Sequence, residues 1–182
     1  LQPGCPPLLL AAGRLEPQKD FLTLIDAVAL LQQQRAVRLL ILGEGSQRAL
    51  LEARLDALNL RDAVALPGFC SNPMAWMARA AVFVLSSRWE GLPGVLLQAL
   101  ACGVPVVSTD CPHGPREILE DGAWGELVPM ADATALAAAM NRQLESAASL
   151  VPPPPQLRPA SPRCSAYSPA RIGAAYRAVL LP

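Results

Sequence analysis

Apolar positions along this chain fall into two alternating patterns. Short, mostly unbroken runs at Leu8–Ala12, Arg38–Leu42, Val64–Leu66, Val82–Leu85, Pro105–Ser108 and Glu126–Val128 read as strands. Between them, Phe21–Gln34 repeats Phe21, Leu24, Ile25, Val28 and Leu31 at spacings of three and four. Gln47–Leu58 does the same with Leu50, Leu51, Leu55 and Leu58, so both are expected as amphipathic helices. Asn72-Pro73 supplies a cap and a first-turn proline for a short helix through Ala78, Pro93 opens another to Ala101, and Gly103 stops it. An Ala-rich helix is expected from Ala131 to about Ala147. Strand-helix repetition with non-alternating strands predicts an α/β fold, a doubly wound parallel sheet with helices on both faces.

After that helix the pattern breaks, since Pro152 to Pro162 holds six prolines. This divides the chain into a doubly wound domain over 1–148, a Pro-rich linker over 149–166 and one more helix over 167–182 with Ile172, Ala175, Tyr176 and Val179 on one face. At 182 residues and 52% hydrophobic composition the core has ample material. Fifteen basic side chains balance fifteen acidic ones, so no net field favours nucleic acid. Any anion site has to be local.

The five cysteines form no C-x-x-C pair and no ligand spacing with His113, the single histidine; they are expected to be free thiols in a reducing compartment, with no metal bound. There is no signal-peptide pattern or membrane-length apolar run. The Leu-Gln-Pro-Gly start suggests a piece of a longer protein.

Candidate chemistry gathers where strands end. Gly13 permits close approach, and Arg14 and Lys19 flank the loop after the first strand. They either grip a diphosphate, the fork of Arg beside the point charge of Lys, or are solvated loop charges. Gly43-Glu44-Gly45 lacks the full G-x-G-x-x-G pattern and is equally a plain turn. Gly68-Phe69 could receive a flat base. Glu90 precedes Gly91-Leu92-Pro93-Gly94-Val95 at the mouth of the fourth strand. Its carboxylate can accept from sugar hydroxyls while the helix N-terminus favours phosphate, or it merely complements the helix dipole. His113 and Glu117 follow the fifth strand, as ligand contacts or as a solvated loop residue and a helix-end acid.

In order, GRLEPQKDFLTLIDA, LLILGEG, LPGF, SSRWEGLPGVLLQALACGVPVVSTDCPHGPREIL and WGELV closely resemble the C-terminal, donor-binding half of family-4 (group 1) glycosyltransferases of GT-B fold, over roughly Leu8 to Met140. The resemblance implies a Rossmann-like domain with the last helix as its closing helix, and a retaining transfer of sugar from a UDP- or GDP-sugar, held as substrate, with no permanent cofactor and no metal. Arg14 and Lys19 would hold the diphosphate and Glu90 the sugar. Gly91 to Val95 would lend backbone amides, and Gly13, Gly68, Gln98 and Glu117 would line the donor site. It also implies a glycan or lipid-linked acceptor bound by an N-terminal domain, in cell-surface polysaccharide synthesis, in the cytoplasm or peripherally at the inner face of the membrane. One departure stands out. The family pattern places a second Glu eight positions after the first, where this chain has Gln98; losing that charge weakens ribose binding by about 1 kcal/mol. A non-catalytic nucleotide-sugar-binding module is therefore the alternative, while the incomplete glycine fingerprint disfavours a dinucleotide oxidoreductase.

Overall fold

The computed structural model describes residues 5–149 and 161–167. Six strands form one parallel sheet: β1 (Leu8–Ala12), β2 (Arg38–Leu42), β3 (Val64–Gly68), β4 (Val82–Leu85), β5 (Val106–Thr109) and β6 (Glu126–Val128), in the order β3-β2-β1-β4-β5-β6. The connecting helices are α1 (Phe21–Gln32), α2 (Arg48–Ala57), α3 (Pro73–Met77), α4 (Gly94–Ala101), α5 (Pro115–Ile118) and α6 (Ala133–Ser149). This is the expected Rossmann-like, doubly wound α/β architecture.

Strand β1 shows why the apolar runs are unbroken. Leu9 and Ala11 pack with α1, α2 and α6 on one face, while Leu8, Leu10 and Ala12 pack with α3, α4 and α5 on the other. Both faces are dry, so neither alternate set can be polar.

Element ends differ from the sequence pattern for local reasons. Strand β3 runs two residues past Leu66 because its pairing with β2 shifts between Leu40 and Leu42, which brings Gly68 beside Leu42. Helix α6 starts at Ala133 rather than Ala131: Ala131 has a left-handed φ of 54°, and the Asp132 side chain accepts from the Ala135 amide at 2.8 Å. Strand β5 is displaced one residue, to Val106–Thr109.

Pro162–Tyr167, which spans the end of the expected linker and the first residue of the expected closing helix, forms a 3-10 turn on the helices. Ser161 donates its amide to the Leu100 carbonyl at 2.9 Å. Arg163 donates to the carbonyls of Ile118 at 3.1 Å and Glu117 at 2.8 Å, satisfying the end of α5. The rest of the linker and the expected closing helix beyond Tyr167 lie outside the described residues.

The strand order reverses direction between β1 and β4, because chain connections run outward from β1 through β2 on one side and from β4 through β5 on the other. At the carboxyl ends of two such strands the following loops diverge and leave a crevice.

Candidate functional site

The loops after β1 and β4 are joined across this crevice. Ser86 donates its hydroxyl to the Lys19 carbonyl at 2.7 Å, the Arg88 amide donates to the Gln18 carbonyl at 2.8 Å, and Gln18 donates its side-chain amide to the Trp89 carbonyl at 2.9 Å. Arg88 also donates to Asp20, which is 4% exposed and caps α1 through Thr23. Glu16 binds the loop after β2, where the amide and hydroxyl of Ser46 hold its carboxyl below the usual carboxylate range.

Between these loops lies an open cleft of about 540 Å³. Of the residues expected at a ligand site, Gly13, Arg14, Lys19, Glu90, Leu92, Pro93, Gly94 and Val95 all line it. Gly91 sits in the same turn, exposed to solvent. Gly68 ends β3 next to Phe69, which lines the cleft and is 80% exposed.

Lys19 and Glu90 are not independent. The Lys19 ammonium donates to Glu90 Oε1 at 2.5 Å, with the two side chains only 14% and 7% exposed, and the Ser87 hydroxyl donates to the same oxygen at 2.6 Å. The two groups are 71 residues apart in the chain. Their partnership becomes visible only when the strand order sets β1 against β4. Arg14 is exposed, and its guanidinium makes no hydrogen bond or ion pair with any described residue. Glu44, also on the cleft, is bound twice by Arg48, at 2.8 and 2.5 Å. Arg14 is thus a cleft cation that no side chain binds directly, its charge felt by Glu16, while Lys19 is held by an acid.

The glycines divide into two kinds. Gly43 has φ +146°, and a Cβ there would lie 1.9 Å from the Gly13 carbonyl oxygen. Its amide donates to the Gly68 carbonyl at 2.9 Å, so three strand-end glycines lie side by side, with backbone excluding a side chain at Gly43. Lys19 lies across Gly13, with its Cε 3.0 Å from where a Cβ would be. Gly91 and Gly94 are the opposite case: a Cβ at either meets nothing within 4 Å, and neither has a left-handed φ. Internal packing leaves these two unexplained. Pro93 caps α4 without a side-chain hydrogen bond, so no side chain claims the first-turn amides.

Three sequence candidates lie elsewhere. Gln98 is exposed on α4 and does not line the cleft. Glu117 lines a separate cavity with His113 and Arg116, and the Tyr167 hydroxyl donates to its Oε1 at 3.2 Å. His113 is exposed, with φ 62°. Next to it Gly114, φ +86°, lets the loop after β5 press on the Gly91–Gly94 turn: a Cβ there would come within 2.4 Å of Pro93 Cδ and 2.6 Å of the Gly91 carbonyl oxygen. This loop braces the turn from outside the cleft. Strand-end chemistry does not point to Ser87 or Gln18; a hydroxyl three residues before the acid is the available sequence signal for Ser87.

Among the described residues no three His, Cys, Asp or Glu side chains converge as metal ligands. Cys111 is 3% exposed, and burial, followed by the charge of Glu90, pushes its thiol pKa up. The folded chain holds this proton longer than the unfolded chain. Its stabilising contribution is complete below the unfolded thiol pKa and is lost as pH rises through the folded value. At pH 8, iodoacetamide should modify exposed Cys5 quickly and Cys111 only on unfolding, as peptide mass mapping over time would show.

Comparison with known proteins gives a consistent picture. The family model described as glycosyl transferases group 1 matches residues 6–146. The N-acetylgalactosamine-N,N'-diacetylbacillosaminyl-diphospho-undecaprenol 4-alpha-N-acetylgalactosaminyltransferase of Campylobacter jejuni is 37% identical over 137 residues, covering 75% of this chain and 37% of that protein. The solved structure of the lipopolysaccharide outer core galactosyltransferase WaaB in its apo form matches with a TM-score of 0.79 at 25% identity, over 98% of this chain and 50% of that one. Alr3699/HepE of Anabaena in complex with UDP matches with a TM-score of 0.72 at 25% identity, over 94% of this chain and 44% of that one. The match spans half or less of each of these proteins.

Proposed function

Because this chain belongs to the group 1 glycosyl transferases, we propose that it is the donor-binding half of a retaining enzyme that moves a sugar from a nucleotide-diphospho-sugar to a glycan or lipid-linked acceptor. The observation that carries this reading is the meeting, in one cleft, of the Arg14 guanidinium, which no side chain binds directly, with the Lys19–Glu90 pair and Gly94, a glycine that packing does not require. A diphosphate needs fixed positive charge and oriented amides. Arg14 offers a bidentate fork, Lys19 has further N–H groups to share, and the N-terminus of α4 supplies a partial positive charge. These same groups would stabilise the charge that grows on a departing nucleoside diphosphate, so the reaction needs no metal in this site. Glu90 then takes donor-sugar hydroxyls.

The UDP bound to the Anabaena protein supports a uridine nucleotide as first probe, with GDP as the competitor. The lipid-linked and lipopolysaccharide substrates in the relatives' names support a cell-surface glycan product, and with it a place for the intact protein at the cytoplasmic side of the membrane. No described helix is long and apolar enough to cross a membrane. The acceptor belongs to a further domain in this reading.

Calorimetric titration tests it. The chain should bind UDP or GDP, and Arg14→Ala should lose about tenfold to a hundredfold in affinity, the worth of a charge-assisted contact. If neither nucleotide binds, the reading is wrong; equal binding by parent and variant would remove Arg14 from the diphosphate. In the full-length enzyme, NMR of the product anomeric proton decides retention.

A further inference from the structure

We infer that Ser87 is a positioning residue that fixes the Glu90 carboxylate for the donor sugar, an inference that rests on the donor-binding reading above. Two donors, Lys19 Nζ and Ser87 Oγ, meet on one oxygen of Glu90, at 2.5 and 2.6 Å. Neither reaches Oε2. No described side chain or amide donates to Oε2, and no side-chain oxygen of the described residues is both sealed from solvent and without a partner. The small exposed fraction of Glu90, 7%, therefore includes Oε2 on the cleft side. The carboxylate is divided into an anchored oxygen and a presented one.

The two anchors differ in what a ligand does to them. Lys19 is a mobile charge on a flexible stem beside Arg14, and an arriving diphosphate competes with Glu90 for it. Ser87 is neutral and fully buried, and cannot follow the phosphate. It is itself held from the neighbouring strand: Thr109, the last residue of β5, donates its hydroxyl to the Ser87 carbonyl at 2.6 Å. When Lys19 turns to phosphate, the hydroxyl of Ser87 is the contact that keeps Glu90 from rotating about its terminal torsion, a broad and weakly determined angle when free. Oε2 then stays aimed at the sugar. The role of Ser87 should be invisible to the nucleotide alone and visible to the nucleotide-sugar.

The experiment compares UDP with UDP-glucose, and GDP with GDP-mannose, by titration of the parent chain, Ser87→Ala and Ser87→Cys, with melting temperatures recorded alongside. Ser87→Ala should bind the free nucleotide within about twofold of the parent. It should bind the nucleotide-sugar at least about fivefold more weakly relative to that nucleotide. Ser87→Cys keeps the shape with a weaker donor and should fall between. An unchanged ratio in both variants overturns the inference. So does a parallel loss for nucleotide and nucleotide-sugar together with a lower melting temperature, because that is the signature of packing alone. A parent chain that binds none of the four overturns the donor reading and this inference with it, and that outcome is distinct from the other two.

Discussion

Lys19→Met should destabilise the unliganded protein by about 2 kcal/mol, and adding Glu90→Gln should return most of that loss. Removing one partner of a buried pair typically costs about 3–5 kcal/mol, because the remaining charge has surrendered its hydration without compensation. Here the figure is lower, since Oε2 of Glu90 faces an open cleft and Ser87 still donates to Oε1. The double variant replaces the stranded carboxylate with an amide that accepts from Ser87 and carries no charge. Glu90→Gln alone leaves a flexible, 14% exposed ammonium that can swing towards water, so its cost is smaller, about 1 kcal/mol. Urea unfolding of the four proteins at pH 7 gives the coupling directly. A coupling near zero would mean that water screens the pair and that the two groups act separately.

This cycle matters for function because each partner holds the other in the empty site. A diphosphate that takes Lys19 must break or share a 2.5 Å contact, so the measured affinity is the gain on phosphate less the loss at Glu90. A single Lys19 variant mixes the two. It weakens phosphate binding and also frees Glu90, and only the double variant separates these effects.

The pairing marks the boundary of what the sequence makes legible. Strands buried on both faces announce themselves because every position must be apolar, as Leu8 to Ala12 show. Element ends are less legible, since they follow single hydrogen bonds: Asp132 sets the start of α6 inside a uniform Ala-rich run, and the register shift against β2 carries β3 on to Gly68. Arg14, Lys19, Glu90 and the Gly91–Val95 turn could be nominated because each sits at a strand end and chemistry narrows what such residues do. That Lys19 pairs with Glu90, and that Ser87 holds the same oxygen, depends on which strands are neighbours, and no local pattern carries that information. Glu117 shows how one turn redirects a side chain: Pro115 starts a new helix after the Gly114 turn, and the carboxylate accepts from Tyr167 beside a separate cavity.

Gly43→Ala should cost about 3 kcal/mol or more and weaken nucleotide binding, whereas Gly94→Ala should weaken binding with no loss of stability. At Gly43 the new methyl would stand 1.9 Å from the Gly13 carbonyl oxygen on a backbone with φ +146°, where L side chains are strained whatever the space. Backbone lies opposite, so nothing flexible can yield, and the shift passes to Gly13 and to Lys19, whose stem crosses it. Stability and donor affinity fall together. At Gly94 the methyl meets nothing within 4 Å, the φ is ordinary, and the residue begins α4. Replacing glycine there reduces the freedom of the unfolded chain, so stability stays level or rises by up to about 1 kcal/mol. Because Gly94 lines the cleft, the same methyl would narrow the approach of phosphate and sugar to the first-turn amides, and affinity should fall at least about fivefold. Thermal melts and titrations of both variants read the contrast. Opposite movements of stability and affinity at Gly94 identify a glycine kept for a ligand; a loss of both would identify one kept for the fold.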